Sequence, residues 1–327
     1  MKHLVRPMIG LLLAVAVPAA AEAMDPPGYS APFADTLETL NFPLLGLLRT
    51  APGWATDLRS DTALVALAAQ RAERVRLASA CTAKPACLAD AWLWTADDIA
   101  VVDATLRRIA AQPGRARDLA ATHMRPSARF ARHASLADPA LIAAAWADTA
   151  AGMNNVISVY AKGLPPRYPV IDSTIFDTKD ARFAAVLDAH GQVTTAGVRS
   201  DAQVFDAPAR YAIGLLRMNE RTDAAAYRAL LAETNAAAAA LAATTRWSDY
   251  RYPALLVFGH GPEDAQSRTG VMGHIRMARA ADLFAAGLAP FIVVSGGNVH
   301  PNRTPFNEAV EMKRILIEQH NIPADRI

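Results

Sequence analysis

Two glycine-rich segments near the end of the chain carry residue types suited to holding an anion. The first, Gly259-His260-Gly261-Pro262-Glu263-Asp264, follows the apolar run ALLVF; the second, Ser295-Gly296-Gly297-Asn298, follows PFIVV. A glycine lets the backbone approach a charged group closely, and the start of a following helix turns its free amides toward that group. Arg268, Arg276 and Arg279 come after the first turn. A guanidinium grips a phosphate or carboxylate through two parallel hydrogen bonds, although a solvated helix face explains Arg279 equally well. Glu308 falls in the first turn of the next helical pattern, next to Asn307, and His300 lies in the loop before it. Either Glu308 or His300 can serve as a general base, while a carboxylate in a first helical turn is also what the helix dipole favours. The candidate ligand-binding set is therefore Gly259, His260, Gly261, Arg268, Arg276, Ser295, Gly296, Gly297 and Asn298, and the candidate catalytic pair is Glu308 and His300.

Other chemistries fit less well. His260, His274 and His300 with Glu263 match no metal-ligand spacing such as H-E-x-x-H, so no metal site is expected. The sequence holds no G-x-S-x-G elbow, no P-loop and no full G-x-G-x-x-G, and so names no cofactor. Ser295 stands before two glycines at a strand end, but no Asp–His pair that would activate it is identifiable.

The elements that must position these residues begin at Tyr252-Pro253. ALLVFGHG reads as a short buried strand, GVMGHIRMARAADLFAAG as a helix ended by Gly287, PFIVVSGGN as a second strand and TPFNEAVEMKRILIEQ as a second helix. Thr304 is the expected N-cap of that last helix and Pro305 its first residue. Strand–helix–strand–helix at these lengths predicts parallel strands in an α/β unit. NIPADRI then turns toward an expected third strand. A two-stranded sheet has open edges and too few partners to stand alone, so a unit cut short is expected here.

Upstream the pattern is mainly helical. Asp61 is placed to cap DTALVALAAQRAERVRLAS, whose Leu64, Leu67, Ala68, Val75 and Leu77 mark an apolar face. Asp97-Asp98 opens a second helix, and Asp138-Pro139 a third. NNVISVYAKGLPPRYPVIDSTIF, with β-branched residues and tyrosines between Gly and Pro, reads as extended chain or a small hairpin. Helix resumes through PARYAIGLLRMNER and, as one long element, TDAAAYRALLAETNAAAAALAATTRW. The fold class expected is thus α/β at the C-terminus preceded by a mainly α-helical region.

The first residues, MKHLVRPMIGLLLAVAVPAAAEA, have the parts of a secretory signal: Lys2 and Arg6, an apolar run from Met8 to Val17, then Pro18 and the small-x-small Ala21-Glu22-Ala23. The run is about half of the roughly 20 residues a membrane span needs, so no stable membrane anchor is expected after cleavage. Residues 1–23 read as a signal peptide, 24–250 as the helical region and 251–327 as the α/β unit, in a periplasmic protein. Its only cysteines, Cys81 and Cys87, stand close together in CTAKPAC. In an oxidising compartment they are expected to form a small disulfide loop bent by Pro85. A net charge of +2 with no basic block argues against nucleic acid as a partner. The chain is 52% hydrophobic and 20% charged, which excludes a disordered protein.

The segment from about Tyr252 to Ile327 resembles the SanA/YdcF/ElyC-like family of envelope proteins. The matching residues are ALLVFGHG, RMARAADLFAAG, PFIVVSGG and NEAVEMKRILIEQHNIP, the most specific being SGG followed by a helix opening with x-E-A. The resemblance covers roughly the last quarter of the chain and reaches YAKGLPPRYPVID only loosely; the longer form SGGNVHPNRTPFNEAVEMKR looks like a subgroup with a helical N-terminal extension. It implies a Rossmann-like sandwich, a role in cell-envelope biogenesis, and a pocket lined by Gly259, Gly261, Ser295, Gly296, Gly297 and Glu308. The family continues with another strand and a T-x-x-N-type motif, so by resemblance 251–327 is the N-terminal part of a YdcF-like domain. Family association with nucleotide-type ligands such as S-adenosylmethionine fits poorly with the periplasm.

Three functions follow as expectations. The first is binding of a small anionic ligand or envelope precursor without turnover. The second is a hydrolase or transferase acting on a phosphorylated or carboxylated envelope precursor. In the third, the alanine-rich helices are a scaffold that docks to a partner.

Overall fold

The computed structural model describes residues 29–34, 36–81, 84–199, 202–226, 233–262, 264–298 and 304–327. Residues 1–23, expected to be a signal peptide, lie outside the described residues, as do Glu263, His300 and the 301–303 segment. Among the described residues no helix is long and apolar enough to cross a membrane.

PLLGLLRT starts the helical core. Thr36 closes a capping box with Thr39 ahead of α1 (Leu37–Asn41), and Pro43 opens α2 (Pro43–Thr50). Leu44, Leu45, Leu47 and Leu48 of α2 are all buried. Next come α3 (Trp54–Ser60) and α4 (Thr62–Ala78), the latter capped as expected by Asp61, whose carboxylate accepts from the Leu64 amide at 2.9 Å. Leu64 and Leu67 of α4 are buried, whereas Leu77 is exposed at the helix end and does not belong to the core face. Cys81 and Cys87 form a disulfide that joins the end of α4 to α5 (Pro85–Asp90). The cap of α6 (Ala96–Ala110) is Thr95 and not Asp97: Thr95 and Asp98 satisfy each other's amides in a capping box. A short α7 (Arg115–Leu119) follows.

The central element is α8 (Asp138–Tyr160), which packs against α6 and, from the other side, against α11 (Asp206–Met218). It overturns the expectation of extended chain from Asn154 onward. Leu141, Ala145, Trp146, Thr149, Met153, Val156, Ile157 and Tyr160 are buried at helical spacing, so burial of that face overrides the β-preference of NNVISVY. Asn154, which resembles a breaker, is a tie instead. Its side chain accepts from the Trp94 amide and donates to the Trp94 carbonyl, each at 2.8 Å. The remaining helices of this region are α9 (Pro169–Asp172) and α10 (Ala181–Ala196). In place of the long helix expected from Thr222, the described residues form a 3-10 turn at Asp223–Ala226, another at Glu233–Asn235, and α12 (Ala236–Thr244), while 227–232 lie outside them.

One apolar cluster runs from Leu37 to Leu216. A second, smaller cluster of Val257, Met277, Ile292, Met312, Ile315, Leu316 and their neighbours belongs to the C-terminal unit. There β1 (Leu255–Phe258), α13 (Val271–Ala285), β2 (Ile292–Ser295) and α14 (Glu308–His320) follow in the expected order, with β1 and β2 paired in parallel from Leu255↔Ile292 to Phe258↔Ser295. Gly287, at φ +72°, ends the α13 segment as expected. The 3-10 turn Ala324–Arg326 lies against α12. Lys313 ties the same parts together, donating to the Thr234 carbonyl at 2.8 Å and the Ile327 oxygen at 2.7 Å.

Candidate functional site

The two strands place their C-terminal ends side by side, and the Gly259 amide extends the ladder by donating to the Ser295 carbonyl at 2.6 Å. Their burial alternates. Val257 and Ile292 point into the small core, while Leu256, Phe258 and Val293 are exposed on the opposite face. The strand ends therefore lie at the lip of a sheet covered on one side by α13 and α14.

Glu308 occupies the centre of this lip. Asn307, not Thr304, caps α14: its side chain accepts from the Val310 amide at 3.1 Å, and its Nδ2 donates to Asn298 Oδ1 at 2.9 Å. The helix thus starts three residues later than the Thr304-Pro305 pair suggests, because Thr304 is buried and uses its hydroxyl to accept from the Phe306 amide. This start aims Glu308 between the two glycine turns. A Cβ added at Gly259 would lie 2.5 Å from Glu308 Oε2, and one at Gly296 would lie 2.5 Å from Glu308 Cβ. At both places the Glu308 side chain packs where a Cβ would otherwise sit. The Gly297 amide donates to Glu308 Oε2 at 3.3 Å, and the Glu308 amide donates back to the Gly297 carbonyl at 3.1 Å. Glu308 itself is only 8% exposed.

The arginines have structural partners. Arg276 donates through Nη1 to the carbonyls of Phe258 and Gly259, at 3.1 and 2.8 Å, and so props the exit of β1. Arg268 pairs with Glu311 at 3.0 Å, and its guanidinium lies over the Phe306 ring at 5.0 Å. Arg314 pairs with the same Glu311 at 2.9 Å, and that hydrogen bond holds its guanidinium above the ordinary pKa. Asp264 accepts from the Ser267 hydroxyl and amide, both at 2.7 Å, which pins the loop between β1 and α13 and depresses its carboxyl pKa. His260 is exposed and its ring abuts Gly270, where α13 begins.

The structure thus brings Gly259, Ser295, Gly296, Gly297, Asn298 and Glu308 together, with Arg276 at the edge. Gly261 and His260 belong to the same turn, facing Gly270, and Arg268 stands farther along α14 at Glu311. His300 lies outside the described residues. No group of three or more His, Cys, Asp or Glu among the described residues is arranged to hold a metal. Glu311 and Phe306 are the members that sequence reasoning missed, while Asn307, a candidate beside Glu308, is the cap of the helix. Glu308 and Glu311 share the buried face of α14 with Met312 and Ile315, at spacings i, i+3, i+4 and i+7. Acids recurring at core positions of a helical pattern were the available signal.

No family model matches this chain, and neither a curated protein nor a solved structure shows significant similarity to it.

Proposed function

We propose that residues 251–327 are a Rossmann-like unit of SanA/YdcF/ElyC type, preceded by the mainly helical region 24–250 in a protein exported to the periplasm. In this reading the strand ends bind a small anionic envelope precursor. One observation carries the reading: the strand-end glycines Gly259 and Gly296 both pack directly on the carboxylate of Glu308. A charged group held among glycines at the C-terminal ends of parallel strands stands where open α/β sheets bind ligands. Glu308 accepts a ligand hydroxyl there, and the N–H groups of Arg276 beyond its Nη1 meet the ligand's anionic group. The ligand therefore carries both phosphate and hydroxyl groups.

A hydrolase or transferase acting on such a precursor is the second reading. It is favoured by how lightly Glu308 is held: the 3.3 Å bond from Gly297 is its one side-chain hydrogen bond among the described residues. A carboxylate so placed can take a proton from a hydroxyl or water.

Calorimetric titration with N-acetylglucosamine 1-phosphate, a small ligand carrying phosphate and hydroxyl groups, tests both readings. For binding without turnover, Glu308→Gln lowers affinity at least several-fold, and wild type releases no product. For the enzyme, Glu308→Gln retains affinity and loses product formation. Unchanged titrations in Glu308→Gln and Arg276→Gln would remove the strand ends from the ligand's path.

A further inference from the structure

A cavity of about 380 Å³ lies in the helical region between α4 and α10, with Leu88 of α5 and Trp92 just beyond that helix in its wall. Both α4 and α10 pack against α5. Val75 of α4 and Leu187 of α10 complete an apolar surface. A protein cavity of about 150 Å³ holds one benzene ring, so this one has room for a body of two fused rings.

Trp92 is 5% exposed. Its indole stacks on Tyr211, with centroids 4.3 Å apart and planes 4° from parallel. Its Nε1–H donates to no acceptor among the described residues. A tryptophan N–H so enclosed ordinarily finds a partner. Gly191 of α10, also in the cavity wall, lies along that edge of the ring: a Cβ there would sit 3.6 Å from Cζ2 and 3.7 Å from Nε1. The missing side chain leaves the N–H edge uncovered.

Asp188 lines the same wall three positions before Gly191, which places the two on one helix face roughly 5–6 Å apart. Gln192 Nε2 donates to Asp188 Oδ2 at 2.8 Å, and no cation or second donor reaches this carboxylate among the described residues. The charge of Arg76, across the cavity on α4, is already met by Glu73, which it grips through two bonds of 2.7 and 2.6 Å. The wall thus offers one open donor and one open acceptor beside apolar side chains. A hydroxyl satisfies both, whereas an ammonium only donates and a carboxylate only accepts. An anion would also be repelled by Asp188.

We propose that this cavity is a second ligand site, separate from the strand ends, that takes a small apolar molecule bearing a hydroxyl, of the phenol class. Its rings lie on Leu88, Leu187 and Val75. Its oxygen accepts from Trp92 Nε1, and its O–H donates to Asp188.

The test is calorimetric titration of the full chain with 2-naphthol, with naphthalene and 2-naphthoate as separate arms. 2-Naphthol binds wild type. Naphthalene, which lacks the hydroxyl, and 2-naphthoate, which carries a negative charge, bind roughly ten-fold more weakly or worse. Gly191→Ala puts a methyl over the indole edge at ordinary contact distance, so the ligand-free melting temperature does not fall, yet 2-naphthol binding drops several-fold. Trp92→Phe keeps a ring on Tyr211 and brings 2-naphthol down to the level of naphthalene. Asp188→Asn removes the charge and raises 2-naphthoate affinity several-fold, while Gly296→Ala at the strand ends changes none of these. The proposal is overturned if 2-naphthol gives no heat at millimolar concentration. It also falls if naphthalene binds as tightly as 2-naphthol, or if Gly191→Ala binds 2-naphthol like wild type.

Discussion

The helical region buries Asp98 and the C-terminal unit buries Glu308, and the two carboxylates are held in opposite ways. In the helical region Asp98, 4% exposed, is surrounded by donors: Arg71 and Arg74 both pair with its Oδ2, and the Thr95 amide closes the capping box. Arg71 is itself enclosed, donating to the carbonyls of Trp92 and Leu93 and lying 3.9 Å over the Trp94 ring. Burial lowers the Arg71 pKa to about 10, and Asp98 limits the fall. Glu308 is nearly as buried but receives one long hydrogen bond and sits where two strands end. A carboxylate that receives several donors from the fold, as Asp98 does, holds elements together. One that receives a single long bond where two strands end has capacity left for a ligand. The same contrast separates Glu311, saturated by Arg268 and Arg314, from Glu308 one turn earlier.

Substitutions break or sharpen this contrast. Asp98→Ala leaves Arg71 charged and enclosed without its partner, so urea denaturation should show a loss of about 3–5 kcal/mol. A loss below about 1 kcal/mol would mean that the ion pair is not a structural lock. Replacing both cysteines by serine frees the short loop between α4 and α5. The same measurement should then fall by about 2 kcal/mol. Gly296→Ala pushes a methyl against Glu308 and should cost only about 1 kcal/mol, because the start of α14 can move, while ligand binding at the strand ends is lost.

The smallest effect is a pH dependence. His190 packs on Tyr211 with ring centroids 4.7 Å apart, and its Nε2 lies 2.9 Å from the Tyr211 carbonyl, to which a neutral ring donates. Burial depresses its pKa below the ordinary histidine value of 6.5. The unfolded chain therefore takes up the proton first as pH falls. Stability from this group is complete above about pH 6.5 and is lost as pH drops through the lower folded value. Melting temperatures of wild type should decline over that acidic interval, and His190→Gln should decline less.

Much of the C-terminal unit was legible because strand, helix and glycine punctuation coincide there: ALLVFGHG and PFIVVSGG became the two parallel strands, and Gly287 ended the helix between them. Asp61 capped α4, and Cys81 joined Cys87, since both depend on contacts close in sequence. The misreadings came from contacts distant in sequence. Asn154 stays helical because the Trp94 backbone, from another segment, satisfies its side chain. The cap of α14 fell to Asn307 because Asn298, across the turn, holds that side chain in place. In the site, the glycines and Glu308 were readable as types, but not that they touch. Arg268 was read as an anion grip because its partner Glu311 follows in α14, well beyond the first glycine turn.

The most direct test of the contrast is hydrogen–deuterium exchange of the full chain with and without N-acetylglucosamine 1-phosphate. The account predicts added protection in peptides covering Gly259–Gly261 and Ser295–Asn298, with none in α4 or α6 around Asp98. Protection confined to the helical region, or none at the strand ends under saturating ligand, would contradict it.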